Sequence, residues 1–257
     1  MKPLIMTFFM FFFTVSMGFA DATVEILTSE YQPYSGITGP ALGCELLNAA
    51  FARKGVQVKW KILPQDRQKG MVAAGISIAF AQSIRVVSQA EKTDFIFNDA
   101  PYLYLNVVAF YPKTKYPQGL GLKGPDDLKH KTVGVVRGTG SISILQKAGA
   151  NLDVANDKDL LMKKLIHGRY DIAVVADLTG LYALKTLNKV NQYGYAPLYS
   201  SPLDLIFSKK NPESADMRTK FISGLKQIKA DGTYMAILRK YYPNGQINKE
   251  TLPEDMR

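Results

Sequence analysis

Thr132-Val133-Gly134-Val135-Val136-Arg137-Gly138-Thr139-Gly140-Ser141 reads as a strand, a glycine turn and the start of a helix. Glycines let the backbone turn tightly and approach a ligand, and N–H groups at a helix start suit an anion. The dinucleotide-binding fingerprint does not fit, because Ser143 stands where its third glycine belongs.

The same grammar extends outward in both directions. After the turn, helical spacing covers residues 141–148 and 157–167, with Asp157 placed to cap the second. Residues 170–176 form a nearly unbroken apolar run, as expected of a strand buried on both faces, and 178–187 are helical. A strand at 203–207 and helices at 214–229 and 234–241 close the chain. Upstream, 23–27 reads as a strand and 28–40 as a loop rich in Tyr, Gly, Ser and Pro. A helix through Leu42, Leu46, Ala49, Ala50 and Phe51 ends at Gly55. Val56, Val58, Trp60 and Ile62 alternate with polar residues as in a half-buried strand. A helix over 66–74 stops at Gly75, and 76–80 reads as a short strand. Strands alternating with helices predict an α/β fold with mostly parallel sheets. Pro and Gly cluster at 113–125, and Pro197 and Pro202 flank a return segment. The predicted division is one discontinuous lobe, 23–109 plus 201–257, and a second lobe, 110–200.

Residues 1–22 read as a secretory leader. Lys2 precedes a short uncharged apolar run, and Ala20-Asp21-Ala22 offers a small-residue cleavage site after Ala22, with cleavage after Ala20 as the competitor. The run is short for a membrane span, so the expectation is a soluble periplasmic protein. Losing Lys2 and Asp21 together leaves the net charge of +10 unchanged.

Composition narrows the chemistry. With 47% hydrophobic and 21% charged residues, the 257-residue chain is no disordered tail. Cys44 alone makes neither a disulfide nor a Cys-rich zinc site, and it lies on the apolar face of the first helix. His130 and His167 leave little for a His-based metal site, so neither metal nor cofactor is expected. The 32 Lys and Arg are scattered, and basic pairs such as Lys163-Lys164 and Lys209-Lys210 are not interleaved with stacking aromatics. Nucleic acid is not the expected partner.

Five pieces of the chain together carry a family resemblance: Tyr31-Gln32-Pro33-Tyr34; Asp94-Phe95 with Ala100-Pro101-Tyr102; 132–139; Gly168-Arg169-Tyr170-Asp171; and Asp231-Gly232-Thr233-Tyr234. In order and spacing the chain resembles the extracellular family 3 solute-binding proteins of polar amino acid ABC transporters. The resemblance implies the two-lobed (type II) periplasmic binding protein fold. In it, each lobe is a mostly parallel sheet flanked by helices, and two hinge strands close the lobes on a ligand. Leu63-Pro64-Gln65-Asp66-Arg67 is similar to the Pro-Trp-x-Arg-Ala segment of a less characterised branch, with Arg67 kept and Gln65 in place of Trp.

The resemblance also implies a site. In the family an Arg before the Asp-Phe-x-x-Pro-Tyr stretch holds a ligand carboxylate. Here that spacing falls on Lys92, while Arg85 lies seven residues earlier, after an apparent three-residue insertion, so either cation could serve. The two are not equivalent, since Arg binds a carboxylate bidentately and Lys is a point charge. Gly138, Thr139 and Ser141 match the segment that meets the carboxylate, and Asp177 matches an Asp that pairs with a ligand ammonium, one residue further from Asp171 than the pattern. As a helix N-cap, Asp177 would serve equally well. Tyr31, Tyr34, Phe80, Tyr102 and Tyr104 are candidates for aromatic walls, with core packing the favoured alternative for each but Tyr34, which sits in a Pro/Ser/Gly loop. The implied function is capture of a small polar or anionic solute, an amino acid or related carboxylate, by a monomer that delivers it to an inner-membrane ABC permease. The alternatives are a ligand sensor acting on a receptor, or a periplasmic dehydratase on the same fold similar to cyclohexadienyl dehydratases, which needs a general acid in the cleft.

Overall fold

The computed structural model describes residues 22–39, 41–242, 247 and 249–257. The expected leader lies outside these residues except for Ala22, which opens the first strand. In chain order the first half runs β1 (Ala22–Thr28), α1 (Leu42–Ala52), β2 (Val56–Ile62), α2 (Gln65–Ala73) and β3 (Ala79–Ser83). A short β4 (Phe95–Ile96) and a long β5 (Leu103–Pro112) follow. The second half is β6 (Thr132–Val136), α3 (Ser141–Lys147), β7 (Asn151–Ala155), α4 (Lys158–Ile166), β8 (Ile172–Ala176) and α5 (Asp177–Thr186). Then β9 (Tyr193–Ser208) returns the chain, and α6 (Ser214–Ala230) and α7 (Thr233–Tyr241) close it.

Each half is a parallel ladder, β2-β1-β3 in one and β8-β6-β7 in the other, with helices as crossovers. The long strands β5 and β9 pair antiparallel and join the ladders, β9 lying beside β3 and β5 beside β8. The register between them shifts at Val107/Val108, which leaves Leu198 as the extra residue on β9. A bulge of this kind bends and twists the strand that carries it. The apolar cores divide here. Leu103, Leu203, Leu205 and Phe207 pack with α1 and α6, whereas Val107, Ala109 and Leu198 pack with β6 and α3. Phe110, Leu161, Leu165 and Val175 fill the opposite face of the second ladder, and Leu27, Phe80, Phe95 and Ile206 the α2 side of the first.

Most predicted elements form as read, including the Asp157 cap, whose carboxylate accepts from the Leu160 N–H at 2.7 Å. Three differ. The strand expected at 76–80 starts at Ala79, because the N–H groups of Ile76 and Ser77 still bond the Met71 carbonyl beyond the left-handed Gly75. β5 and β7 have no counterpart in the sequence reading. The predicted strand at 203–207 is the tail of β9, a 16-residue element that holds both Pro197 and Pro202. Pro usually argues against a central strand, but Pro197 stands at the bulge, where the ladder is already interrupted.

Helices α1 and α6 meet at Gly224, where a Cβ would lie 1.9 Å from the Ala50 carbonyl oxygen. Backbone cannot yield as a side chain tip can. Gly224→Ala should therefore force the helices apart and cost about 1–3 kcal/mol in urea unfolding; an unchanged midpoint would contradict this packing.

Candidate functional site

The chemistry-bearing residues gather at the carboxyl ends of β1, β3, β6 and β8, where open α/β sheets place ligands. After β1, residues 29–35 form a closed loop. The Tyr34 and Ser35 N–H groups both bond the Tyr31 carbonyl at 2.9 Å, and Ser35 Oγ donates to the Ser29 carbonyl at 2.7 Å. Helix α1 has no side-chain cap; instead the carbonyls of Pro33 and Tyr34 accept from Leu42 and Gly43 at 2.8 Å. This satisfies orphan donors of the first turn and fixes Tyr31 and Tyr34, whose rings stack 6.2 Å apart.

Tyr34 is buried, and its hydroxyl donates to Asp177 Oδ1 in a bond that joins the first half of the chain to the second. Asp177 opens α5 and is itself buried. It also accepts from the Leu178 N–H at 2.7 Å and from Asn106 Nδ2 at 3.5 Å. Burial raises the pKa of this carboxyl, and the bonds from Tyr34, Leu178 and Asn106 oppose the rise. Burial, with the Asp177 charge beside it, also pushes the Tyr34 hydroxyl well above the ordinary phenol value. Asn106 extends the network, donating to Thr251 Oγ1 at 2.6 Å and accepting from Ser200 Oγ at 3.1 Å.

A second group meets around Tyr199 on β9. Its hydroxyl donates to Ser141 Oγ at 2.8 Å, at the start of α3. The Arg85 guanidinium lies 5.9 Å from the Tyr199 ring centroid, and its Nη2 donates to the Ser200 carbonyl at 3.4 Å. That placement is a cation–π geometry. Arg85 sits in the 3-10 turn Ile84–Val86, whose N-cap Ser83 accepts from the Arg85 N–H at 3.2 Å and pairs with Ser201 Oγ at 2.8 Å. Tyr31 stands by the group, and burial lifts its hydroxyl to about 12, against the opposing effect of Thr179. Thr179 Oγ1 in turn donates to the Gln32 carbonyl at 3.3 Å, a further bond between the halves.

Of the residues singled out in the sequence, Tyr34 and Asp177 meet directly, and Arg85 and Ser141 meet through Tyr199. Gly138 takes φ +74° in the turn before α3, and Thr139 Oγ1 closes that turn on the Val136 carbonyl at 2.8 Å. Arg67 stands exposed on α2, apart from these bonds. Phe80 is fully buried, edge-on to Phe95, and Tyr102 is buried against Phe221 beneath α1. Tyr104 lies under the Arg257 guanidinium. Lys92, also exposed, borders a cavity of about 290 Å³ with Ile84, Phe97, Pro101, Asn98, Asp99 and Asp204. Tyr199, Ser200, Asn106 and Thr179 went unread in the sequence. The signal available was Tyr199-Ser200-Ser201 between two prolines, polar residues inside what is a single strand. Among the described residues, no group of three His, Cys, Asp or Glu side chains could hold a metal ion, and no helix is long and apolar enough to cross a membrane.

Comparison with known proteins bears on the fold. No family model matches the chain. The ligand-binding core of GluR0 in complex with L-glutamate superposes with a TM-score of 0.70 at 12% identity, over 86% of this chain and 99% of that one. A histidine kinase sensor domain with similarity to periplasmic binding proteins gives 0.68 at 19% identity, over 86% and 96%. The chain has the two-lobed fold of the periplasmic binding proteins. In sequence, the chain is 28% identical over 165 residues to the amino-acid-binding protein AabA of Dichelobacter nodosus. The match covers 62% of this chain and 61% of AabA, and it points the same way as the family 3 resemblance in the sequence.

Asp204, on β9 behind the Arg85 turn, is buried and accepts from the Asn98 N–H at 3.0 Å and Nδ2 at 2.6 Å, and from the Leu205 N–H at 2.8 Å. Burial outweighs these bonds and raises its carboxyl from 3.8 to about 6. A raised carboxyl pKa contributes stability that is full below the unfolded value and lost as pH rises through the folded one. Unfolding of wild type and Asp204→Asn, compared between pH 3.8 and above about 6, should move steadily in favour of the variant as pH rises. A pH-independent difference would mean that Asp204 does not titrate there.

Proposed function

We propose that this chain is an exported, non-catalytic binding protein that captures a small carboxylate-bearing solute, an amino acid or related acid, between two closing lobes. Residues 1–22 serve as the leader to the periplasm. Residues 23–109 with 201–257 form one lobe and 110–200 the other. The mature monomer hands its ligand to an inner-membrane ABC permease.

One observation carries the reading. Arg85 from the first half and Ser141 from the second converge on Tyr199, which lies on the strand that joins the halves. A guanidinium beside hydroxyl groups suits a carboxylate, which needs charge-assisted donors. A ligand contacting both halves favours the closed state by its differential affinity. The bulge at Val107/Val108 supplies an interruption about which β5 and β9 can bend. The name of AabA, an amino-acid-binding protein, supports the same ligand class. The dehydratase alternative is not favoured, since the groups around Tyr199 are Arg, Ser, Thr and Tyr, suited to holding an acid more than to eliminating water from one.

Arg85, and not Lys92, is assigned the carboxylate, because Arg85 belongs to the Tyr199 group and Lys92 borders the neighbouring cavity. In a thermal-shift screen with amino acids and small carboxylates, a ligand at 100 times its Kd should add about 2.7 kcal/mol of stability. Arg85→Ala should weaken the best ligand by about 10–100-fold, the worth of about 1.5–3 kcal/mol of charged hydrogen bonding. Lys92→Ala should leave its affinity unchanged. A loss on Lys92→Ala alone would reverse the assignment.

A further inference from the structure

Asp177 is the carboxylate that would be expected to take a ligand ammonium, and most of its acceptor positions are already in use. A carboxylate offers about four lone-pair positions. In Asp177 three of these serve the Tyr34 hydroxyl, the Leu178 N–H and Asn106 Nδ2. The side chain is only 3% exposed. The Tyr34 hydroxyl is buried with it, so an ammonium could reach Asp177 only by displacing a phenol that would then lack its acceptor. Leaving a buried donor unsatisfied costs more than the exchanged bond returns.

The carboxylates next in sequence to Tyr31, Arg67 and Lys92, and Asp204 on β9, are also partnered. Glu30, next to Tyr31, accepts from Gln32 Nε2 at 2.9 Å and from Thr38 Oγ1 at 3.2 Å. Asp66 and Glu91, on the α2 side, share Lys69 at 3.5 and 2.9 Å. Asp204 is held by Asn98 and Leu205. The group around Tyr199 presents hydroxyls and the Arg85 guanidinium, which attracts an anion and repels a cation.

We infer that this protein selects its ligand by a carboxylate and not by an α-ammonium, so that its ligands are small organic acids lacking the amino group. The Tyr34–Asp177 bond occupies internally the position an amino group would fill. The inference rests on the carboxylate-binding reading above.

The test uses matched pairs on the mature protein by titration calorimetry: glutarate with L-glutamate, succinate with L-aspartate, 4-methylpentanoate with L-leucine, and 3-phenylpropionate with L-phenylalanine. The expected result is that in the best-bound pair the acid without the amino group binds at least as tightly as the amino acid. A preference of about tenfold or more for the amino acid overturns the inference and leaves the binding reading intact. No binding by any member overturns that reading, and the inference with it. Asp177→Asn supplies an independent measurement. Both members of the best pair should change together, leaving their ratio within about threefold, a difference well under one tenfold step. A loss confined to the amino acid would show Asp177 on the ammonium. If the variant fails to fold, the wild-type pairs alone decide.

Discussion

The antiparallel pairing of β5 with β9 is the constraint on which the molecule depends. Two parallel ladders, each with its own helices and cores, have no edge in common except through these strands. β9 lies against β3 at one end and β5 against β8 at the other, so each ladder is completed by a strand whose far end belongs to its neighbour. The register shift at Val107/Val108 and the extra Leu198 stand where β5 and β9 enter the cores of the second half. The hydrogen-bond ladder is interrupted at the bulge, which bends and twists the strands there.

The same strands carry the site. Tyr199, Ser200 and Ser201 lie on β9, Asn106 on β5, and each meets a residue placed by the end of a parallel strand in one half or the other. The polar network is continuous from Ser200 through Asn106 and Asp177 to Tyr34. In a buried setting such a chain of bonds has one satisfied arrangement, which makes it specific and intolerant of partial loss. It holds Asp177 among Tyr34, Leu178 and Asn106. Ala176 and Leu178, its neighbours, pack into the core of the first half, drawing the start of α5 across the boundary.

Sequence periodicity reads helices and parallel strands well in this chain because each has one dominant environment. β6 and β8 are buried on both faces and appear as apolar runs; α4 announces itself with Asp157. β5 and β9 are harder because their environment changes along their length. β9 runs from exposed Tyr195 through Pro197 and the bulge to the fully buried Phe207, so no single period covers it. β7 is a half-buried edge strand with Asn151 and Asp153 in it, and its polarity hides it.

The sequence by itself determined the α/β alternation, the helices and the parallel strands β1, β2, β6 and β8, the glycine turn before α3 and the residue types that resemble a solute-binding site. Local periodicity and steric preference suffice for these, since each is a property of a short segment. Only the tertiary structure decided which side chains meet. Tyr34 and Asp177 are 143 residues apart and touch because β1 and β8 end on the same side of a joined sheet. Whether a carboxylate is open to a ligand or consumed by the protein's own hydroxyl depends on burial and on distant donors, neither of which is a local property of the chain.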